Sequence, residues 1–249
     1  MERLRTWVIN LDRATERLSR ITAQLQRAGI AFERLPAVDA RAFTASQSAE
    51  LDAPAYRQKH GMEPLPGELG CYLSHVEVMR RMLVSRAQFG LVLEDDVLIT
   101  ERLPAALRGL IQHADRWDMV KLSAVHSGTP RPVLEVAPGQ QLAVMLSRCT
   151  GSSAYLINRR AAQAYADGLL PMSLPYDHIF DQGWTFGLKV RLLTPTPCVH
   201  DEAAMSSIAA APGSSRKFGW TQRFPTYGYR LRNEWRRLKY GLASLRSER

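Results

Sequence analysis

The sequence lacks several features that would place the chain at once in a broad class of proteins. Its 249 residues contain no apolar run close to the roughly 18 residues that a membrane-spanning helix requires. Residues 1–6 carry no apolar segment with a small-residue cleavage site, so a cytoplasmic protein is expected rather than a secreted one. The cysteines are few: Cys71, Cys149 and Cys198 fit neither a metal motif nor complete disulfide pairing. Each is therefore expected to be a small buried residue.

The composition is that of an ordinary globular protein, with 45% hydrophobic and 23% charged residues. The apolar patterns open with a strand at 6–11, a helix at 14–28 and a strand at 32–39, which favours a parallel βαβ unit. Further helices are predicted at 68–87, 102–113, 159–168 and 176–186, further strands at 119–122, 153–157 and 190–193, and a hairpin at 133–136 and 142–146. The sequence predicts one α/β domain followed by a C-terminal extension.

Three consecutive carboxylates interrupt the most apolar stretch of the chain, where Leu91-Val92-Leu93 runs into Glu94, Asp95 and Asp96. A buried strand would not carry these side chains without partners, because burying an unpaired carboxylate costs several kcal/mol. Alternation along a strand places Glu94 and Asp96 on one face and Asp95 on the other. Carboxylates are ligands for Mg²⁺ or Mn²⁺, so a bound cation is one interpretation. An acidic turn or a helix cap is the other.

The net charge of +9 is concentrated at the C-terminus, where residues 216–249 contain ten Arg or Lys residues and only Glu234 and Glu248. Tryptophan, phenylalanine and tyrosine are interleaved with these charges. Such a segment is typical of contact with an anionic membrane surface. A solvated helix whose aromatic residues pack on the domain is the alternative, and a nucleic-acid surface is the least favoured.

Five motifs occur in a fixed order along the chain. They are VINLDR at 8–13 with Arg17, GELGCYLSH at 67–75, LEDD at 93–96, WDMVKL at 117–122 and GSSAYLI at 151–157. Together they resemble glycosyltransferase family 25, the bacterial lipooligosaccharide and lipopolysaccharide glycosyltransferases. The resemblance spans residues 7–208. It implies a GT-A-like domain at 1–212, with a Rossmann-type, mixed and mostly parallel sheet flanked by helices, and a basic extension at 213–249.

The resemblance also implies which residues bind the nucleotide-sugar donor and its metal ion, Mn²⁺ or Mg²⁺. The donor candidates are Asn10, Asp12, Arg13, Arg17, Ser74, His75, Glu94, Asp95 and Lys121. The metal candidates are Asp96 as direct ligand, Glu94 and His200. The structural alternatives are a helix cap for Asp12, a core position for His75 and a plain strand-end lysine for Lys121.

A catalytic base is expected at the start of the helix predicted for 176–186. An inverting transferase needs a carboxylate to accept the proton of the acceptor hydroxyl. Asp177 is the first candidate and Asp181, one turn later, is the second. Asp177 would otherwise only complement the helix dipole.

The resemblance implies metal-dependent, inverting transfer of a sugar, with UDP-galactose the favoured donor and other UDP sugars behind it. The acceptor would be a lipooligosaccharide, a lipopolysaccharide or a related glycan. The protein would then be cytoplasmic and peripheral to the inner face of the cytoplasmic membrane. A non-catalytic protein that binds a nucleotide sugar or a glycan on the same fold is the alternative, and nucleic acid is not an expected partner.

Overall fold

A central eight-stranded sheet organises the chain in the computed structural model, which describes residues 3–40, 44–201 and 218–248. Its strands are β1 (Leu4–Asn10), β2 (Glu33–Pro36), β3 (Phe89–Glu94), β5 (Met119–Lys121), β7 (Pro130–Ala137), β8 (Gln140–Met145), β10 (Ala154–Asn158) and β11 (Val190–Thr194). Two short ribbons complete the strands: β4 (Val97–Ile99) pairs with β12 (Cys198–His200), and β6 (His126–Ser127) pairs with β9 (Cys149–Thr150).

The helices that cover the sheet include long and short segments. They are α1 (Thr15–Arg27), α2 (Ala45–Ala49), α3 (Ala53–His60), α4 (Pro66–Val84), α5 (Leu103–Gln112), α6 (Arg159–Gly168), α7 (Tyr176–Ile179), α8 (Gly183–Phe186) and α9 (Phe224–Ser247). Short 3-10 helices lie at Ala114–Arg116 and Thr221–Arg223. None of these described helices has the length and apolar character needed to cross a membrane.

The sheet is mixed, with the strand order β2-β1-β3-β10-β5-β11-β8-β7. The strands β1, β2 and β3 are mutually parallel, as are β5 and β11, whereas β10 and β8 run antiparallel to their neighbours. The prediction of a mixed, largely parallel sheet flanked by helices is therefore confirmed. The antiparallel insertion of β10 between β3 and β5 brings the start of β10 next to the carboxyl ends of both.

The core has two layers because the central strands are buried on both faces. Val92 contacts the layer that contains Tyr72 and Tyr165, contributed by α4 and α6. Its neighbour Leu91 contacts the opposite layer, which contains Ile21 of α1 and Leu107 of α5. A continuous apolar run is what such a strand requires, and it accounts for the sequence that precedes the carboxylates.

The single helix predicted for 176–186 is wrong, because the segment forms α7 and α8 with a break between them. At the break, Gly183 packs so closely that a Cβ there would lie 2.5 Å from the Tyr240 hydroxyl and 2.6 Å from the Leu188 carbonyl oxygen. Asp181 is drawn into an ion pair with Arg237 of α9. These tertiary contacts override the local helical pattern.

The C-terminal helix α9 packs against the domain along one side. The Thr226 hydroxyl donates to the Gln58 carbonyl oxygen at 2.9 Å, and the amide of Val190 donates to the Tyr240 hydroxyl at 2.8 Å. Near its end, Glu248 accepts from Arg191 at 2.7 Å and from Arg116. The predicted boundary between residues 212 and 213 lies outside the described residues.

Candidate active site

The candidate site lies at one edge of the sheet, where strands β1, β3 and β5 end and β10 begins. Asn10, Glu94 and Lys121 are the last residues of those three strands, and Ala154 of β10 is opposite Leu93 of β3. Open α/β sheets bind ligands beyond the carboxyl ends of their strands. This topology brings together residues that are far apart in the sequence.

The innermost acidic group is Asp95, which is buried beneath the edge of the sheet. Its Oδ2 accepts a 2.6 Å hydrogen bond from Nδ2 of Asn10, and its Oδ1 lies 3.0 Å from a guanidinium nitrogen of Arg17. Burial raises the pKa of Asp95, although Asn10 and Arg17 act in the opposite direction. Asp95 is thus an anchor that orders the first βα turn, and its contact with the nucleotide-sugar donor stays a prediction.

Asp96 differs from Asp95 because it has an unsatisfied oxygen. Its Oδ1 is buried without a hydrogen-bond partner, and it lies 3.8 Å from Nδ1 of His200. Its Oδ2 lies 3.8 Å from Arg17. Burial and then the Glu94 charge raise the pKa of Asp96 to about 6. A buried carboxylate oxygen without a donor fits a site for a cation.

Glu94 lies between two hydrogen-bonding side chains at the end of β3. Its Oε1 accepts from the Ser152 hydroxyl at 3.2 Å and lies 3.4 Å from Nε2 of His75. Burial by itself would raise the pKa of Glu94, but His75, Ser152 and His200 together lower it. Glu94 is therefore held as a carboxylate at the sheet edge.

His75 belongs to a buried wall of aromatic residues. Its ring stacks on Tyr176 with centroids 4.0 Å apart, and its Nδ1 lies 2.9 Å from the Tyr155 hydroxyl. The Tyr176 hydroxyl in turn donates to Tyr155 at 3.1 Å. This wall fixes the orientation of the imidazole and directs Nε2 toward Glu94.

Asp177, the first candidate for the base, is half-buried in α7. The amide of Gly151 donates to its Oδ2 at 3.3 Å, while Oδ1 lies 3.9 Å from Nε2 of His178. Gly151 has a φ of +95°, a conformation that side-chain-bearing residues rarely adopt. Because Gly151 binds Asp177 and the adjacent Ser152 binds Glu94, two neighbouring residues of one loop hold both carboxylates.

Three predicted site residues have their polar groups engaged inside the fold. Both oxygens of Asp181 bind the Arg237 guanidinium, at 3.0 and 3.1 Å, so this second candidate for the base is taken up in a buried ion pair. The Ser74 hydroxyl donates to the Gly70 carbonyl and accepts from the Val38 amide. The buried Nζ of Lys121 donates to the Cys149 carbonyl at 2.6 Å. These bonds satisfy the polar groups of all three side chains without any ligand. Their predicted site roles stay predictions.

Asp12 and Arg13 lie on the surface beyond the end of β1. Asp12 pairs with Arg34, and Arg13 pairs with Asp39. Arg34 also donates from Nε to Oδ1 of Asn10 at 2.9 Å, which connects this pair to the Asp95 cluster. Their contacts with a nucleotide or diphosphate stay predictions.

A family model described as "Glycosyltransferase family 25 (LPS biosynthesis protein)" matches residues 4–180. The chain belongs to glycosyltransferase family 25. The resemblance inferred from the five motifs is thereby confirmed, and the matched region is a glycosyltransferase domain by family. It includes every candidate residue up to Asp177, whereas Asp181, His200 and α9 lie beyond it.

Curated family 25 relatives match the chain over limited segments. Procollagen galactosyltransferase 1 of Danio rerio is 30% identical over 165 residues, which cover 63% of this chain and 27% of that protein. Procollagen galactosyltransferase 2 of Homo sapiens is 31% identical over 122 residues, 46% of this chain and 20% of that protein. A glycosyltransferase 25 family member of Anopheles gambiae is 31% identical over 121 residues, again covering 46% and 20%. The chain therefore corresponds to a small part of each relative.

Two overlapping sets of residues in this family 25 domain are candidates for a cation site. In the predicted set, Oδ1 of Asp96 lies 3.8 Å from Nδ1 of His200, and Glu94 is the third residue. Among the described residues, the three ligand atoms that lie within 4.8 Å of one another are instead those of Cys71, His75 and Glu94. Burial and the nearby carboxylates raise the pKa of the Cys71 thiol, which disfavours the thiolate that a metal needs. The oxygen-rich set suits Mg²⁺ or Mn²⁺ better.

Sequence reasoning missed the tyrosines that support the site, since Tyr155 is only part of a motif there and Tyr176 only the start of a helix. For Ser152 the sequence does give a signal, because the run Gly151-Ser152-Ser153 predicts a close backbone approach that shapes the acceptor or sugar pocket. Nothing local in the sequence shows that Tyr176 stacks on His75, since this contact joins residues about 100 positions apart.

Proposed function

We propose that this chain transfers a hexosyl group from a nucleoside-diphosphate sugar to a glycan hydroxyl with the help of a divalent cation. The observation that carries the proposal is the arrangement of carboxylates at the sheet edge. Glu94 and Asp177 are held by adjacent residues of one loop, and Asp96 beside them keeps a buried oxygen without a hydrogen-bond donor. Family membership supports the same chemistry.

The carboxylates Asp96 and Glu94, with His200, would hold the cation. When bound, Mn²⁺ or Mg²⁺ would neutralise the charge that develops on the diphosphate leaving group. Arg17 carries a positive charge beside Asp95 and Asp96, which reduces the repulsion between these two carboxylates. Asn10 and Asp95 order the turn after β1, where the nucleotide is expected.

Asp177 is proposed as the base that accepts the proton of the acceptor hydroxyl. Its carboxylate receives a single hydrogen bond from Gly151 among the described contacts, so an oxygen remains for the incoming hydroxyl. Burial lowers the pKa of the adjacent His178, which therefore stays neutral near pH 7 and does not fix Asp177 in an ion pair. Asp181, bound to Arg237, has no comparable freedom.

Galactose is the favoured sugar, and UDP-galactose the favoured donor. Two of the relatives are named procollagen galactosyltransferases. The residues that the family model matches, 4–180, include all the proposed donor residues. For the acceptor, the family description names lipopolysaccharide biosynthesis. We therefore propose a saccharide acceptor of the lipooligosaccharide or lipopolysaccharide type.

The test is UDP release from a panel of UDP sugars, with Mn²⁺, with Mg²⁺ or with EDTA. Each sugar is combined with a lipooligosaccharide, a free oligosaccharide or a collagen peptide. We expect metal-dependent release from UDP-galactose that a saccharide acceptor increases. Asp96→Asn should abolish it, while Asp167→Asn, which changes an exposed carboxylate of α6, should not.

Three other results would overturn parts of the proposal. Donor binding without release from any combination would identify a non-catalytic nucleotide-sugar-binding protein. Equal release in EDTA, with Asp96→Asn as active as the unchanged chain, would remove the proposed metal role. Increased release with the collagen peptide alone would replace the acceptor class.

A further inference from the structure

An apolar stripe on the solvent side of α9 is a feature of the fold that the proposed chemistry does not use. It consists of Phe224, Tyr227, Leu231, Trp235, Leu238 and Leu242, which are all exposed. Their spacings of three and four residues place them on one face of the helix. Leu231 is 76% exposed and Trp235 is 56% exposed, so the middle of the stripe is open to solvent.

The packing of α9 on the domain does not require this stripe. The buried residues of the helix are Thr226, Arg237 and Gly241, which lie on a different side. Thr226 binds the Gln58 carbonyl, and Arg237 binds Asp181. A helix that is fixed along one side and apolar along another has a second face available for a partner.

The charges beside the stripe determine which partner fits. Arg232, Arg236, Lys239 and Arg246 are exposed along one flank, and Glu234 is the only acidic residue between Phe224 and Ser247. The ammonium of Lys239 lies 5.1 Å from the centre of the Trp235 ring. Two copies that met along this face would bring these positive charges together. An anionic partner with an apolar interior matches both the charge and the stripe.

We propose that α9 lies flat on an anionic lipid bilayer, with the apolar stripe inserted at the level of the headgroups. Exposed tryptophan and tyrosine suit the interface, because their rings combine apolar and polar parts. The flanking arginines and lysine then face anionic phosphates, an attraction worth about five-fold in binding per basic residue at such a surface. This inference does not depend on the proposed transfer activity.

The test measures binding of the full chain to vesicles of phosphatidylcholine alone and of phosphatidylcholine mixed with phosphatidylglycerol. Co-sedimentation gives the bound fraction, and tryptophan emission reports insertion. The test variant is Leu231→Ser with Trp235→Ser. The matched control is Val84→Ser with Val125→Ser, two exposed apolar residues outside α9. Thermal melting checks that each variant folds as the unchanged chain does.

We expect binding to the anionic vesicles, weaker binding at high salt, and little binding to phosphatidylcholine alone. The α9 variant should bind at least about ten-fold more weakly because it loses two large apolar side chains, whereas the control variant should be unchanged. Equal binding by the α9 variant and the unchanged chain would overturn the inference, as would the absence of any vesicle binding. A dimer that light scattering detects, and that the α9 variant dissociates, would show that a second copy covers the stripe instead.

Discussion

Replacement of Arg237 by methionine should destabilise the fold far more than a typical change in a C-terminal helix. Arg237 is 2% exposed, and its guanidinium binds both oxygens of Asp181, which is 1% exposed. Methionine leaves the Asp181 carboxylate buried without its partner. Breaking a buried ion pair in this way costs about 3–5 kcal/mol. For a chain of this size that corresponds to a fall of roughly 6–20 °C in Tm.

Urea denaturation of the full chain, followed by circular dichroism, gives the free energy of unfolding. The control is a double variant, Asp181→Leu with Arg237→Met, which removes both charges from the same site. We expect the double variant to recover most of the stability, since an apolar pair of similar volume often replaces a buried ion pair without loss. The two single changes should therefore be strongly non-additive.

A loss of less than about 1 kcal/mol in Arg237→Met, the range of an exposed ion pair, would contradict the stabilising role assigned to this buried pair. Additive effects of the two substitutions would refute it as well, because they would show that the side chains do not depend on each other. Either result would mean that the break between α7 and α8 is maintained by other contacts, such as the close approach at Gly183.

Three further predictions concern the carboxylates and the glycines. In EDTA at neutral pH, Asp96→Asn should raise the stability by about 1–3 kcal/mol, because burial raises the pKa of Asp96 to about 6 and the folded chain then carries an unfavourable charge. This gain should shrink as the pH falls through 6 and vanish below about 3, where Asp96 is protonated in both states. Asp177→Asn should lower turnover by about 10²-fold or more with little change in donor affinity, as expected for a lost general base. Gly109→Ala should lower the free energy of unfolding by about 3 kcal/mol or more, since a Cβ there would lie 1.7 Å from the Val136 carbonyl oxygen. Gly228→Ala in α9 should raise it by up to about 1 kcal/mol, because nothing lies within 4 Å of the added Cβ.

Calorimetry measures the stability of Asp96→Asn. Single-turnover kinetics with donor titration tests Asp177→Asn, and urea denaturation tests the two glycine variants. A lower Tm for Asp96→Asn in EDTA would show that this carboxylate stabilises the metal-free fold. Loss of donor binding in Asp177→Asn would place that residue in the donor pocket rather than at the acceptor. A Gly109→Ala variant as stable as the unchanged chain would mean that α5 and β7 can separate without cost.

The sequence predicts the sheet edge well because that signal is local. An apolar run such as Leu91–Leu93 fits a strand buried on both faces, and the carboxylates at its end then lie at the edge of the sheet. The βαβ opening and the position of α4 follow from periodicity alone. These features depend on neighbours in the chain, so the structure confirms them with small shifts at the ends of the elements.

The remaining parts of the site depend on contacts between distant residues. Asn10 and Asp95 bind across 85 positions, and Arg237 binds Asp181 across 56. Asp177 and Asp181 are one turn apart in the sequence, yet one receives the Gly151 amide and the other is buried under α9. No local pattern distinguishes them, because the difference arises where α9 meets the break between α7 and α8.

The contacts that α9 makes with the domain make this helix of the basic extension a component of the fold rather than an exchangeable module. Its contacts reach α3 through Thr226, the α7–α8 break through Arg237, and the neighbourhood of β11 through Glu248. A C-terminal segment without Thr226, Arg237 and Glu248 would leave these three places without their partners. We therefore expect Arg237 to change together with Asp181, and Glu248 together with Arg191, among relatives that keep the helix.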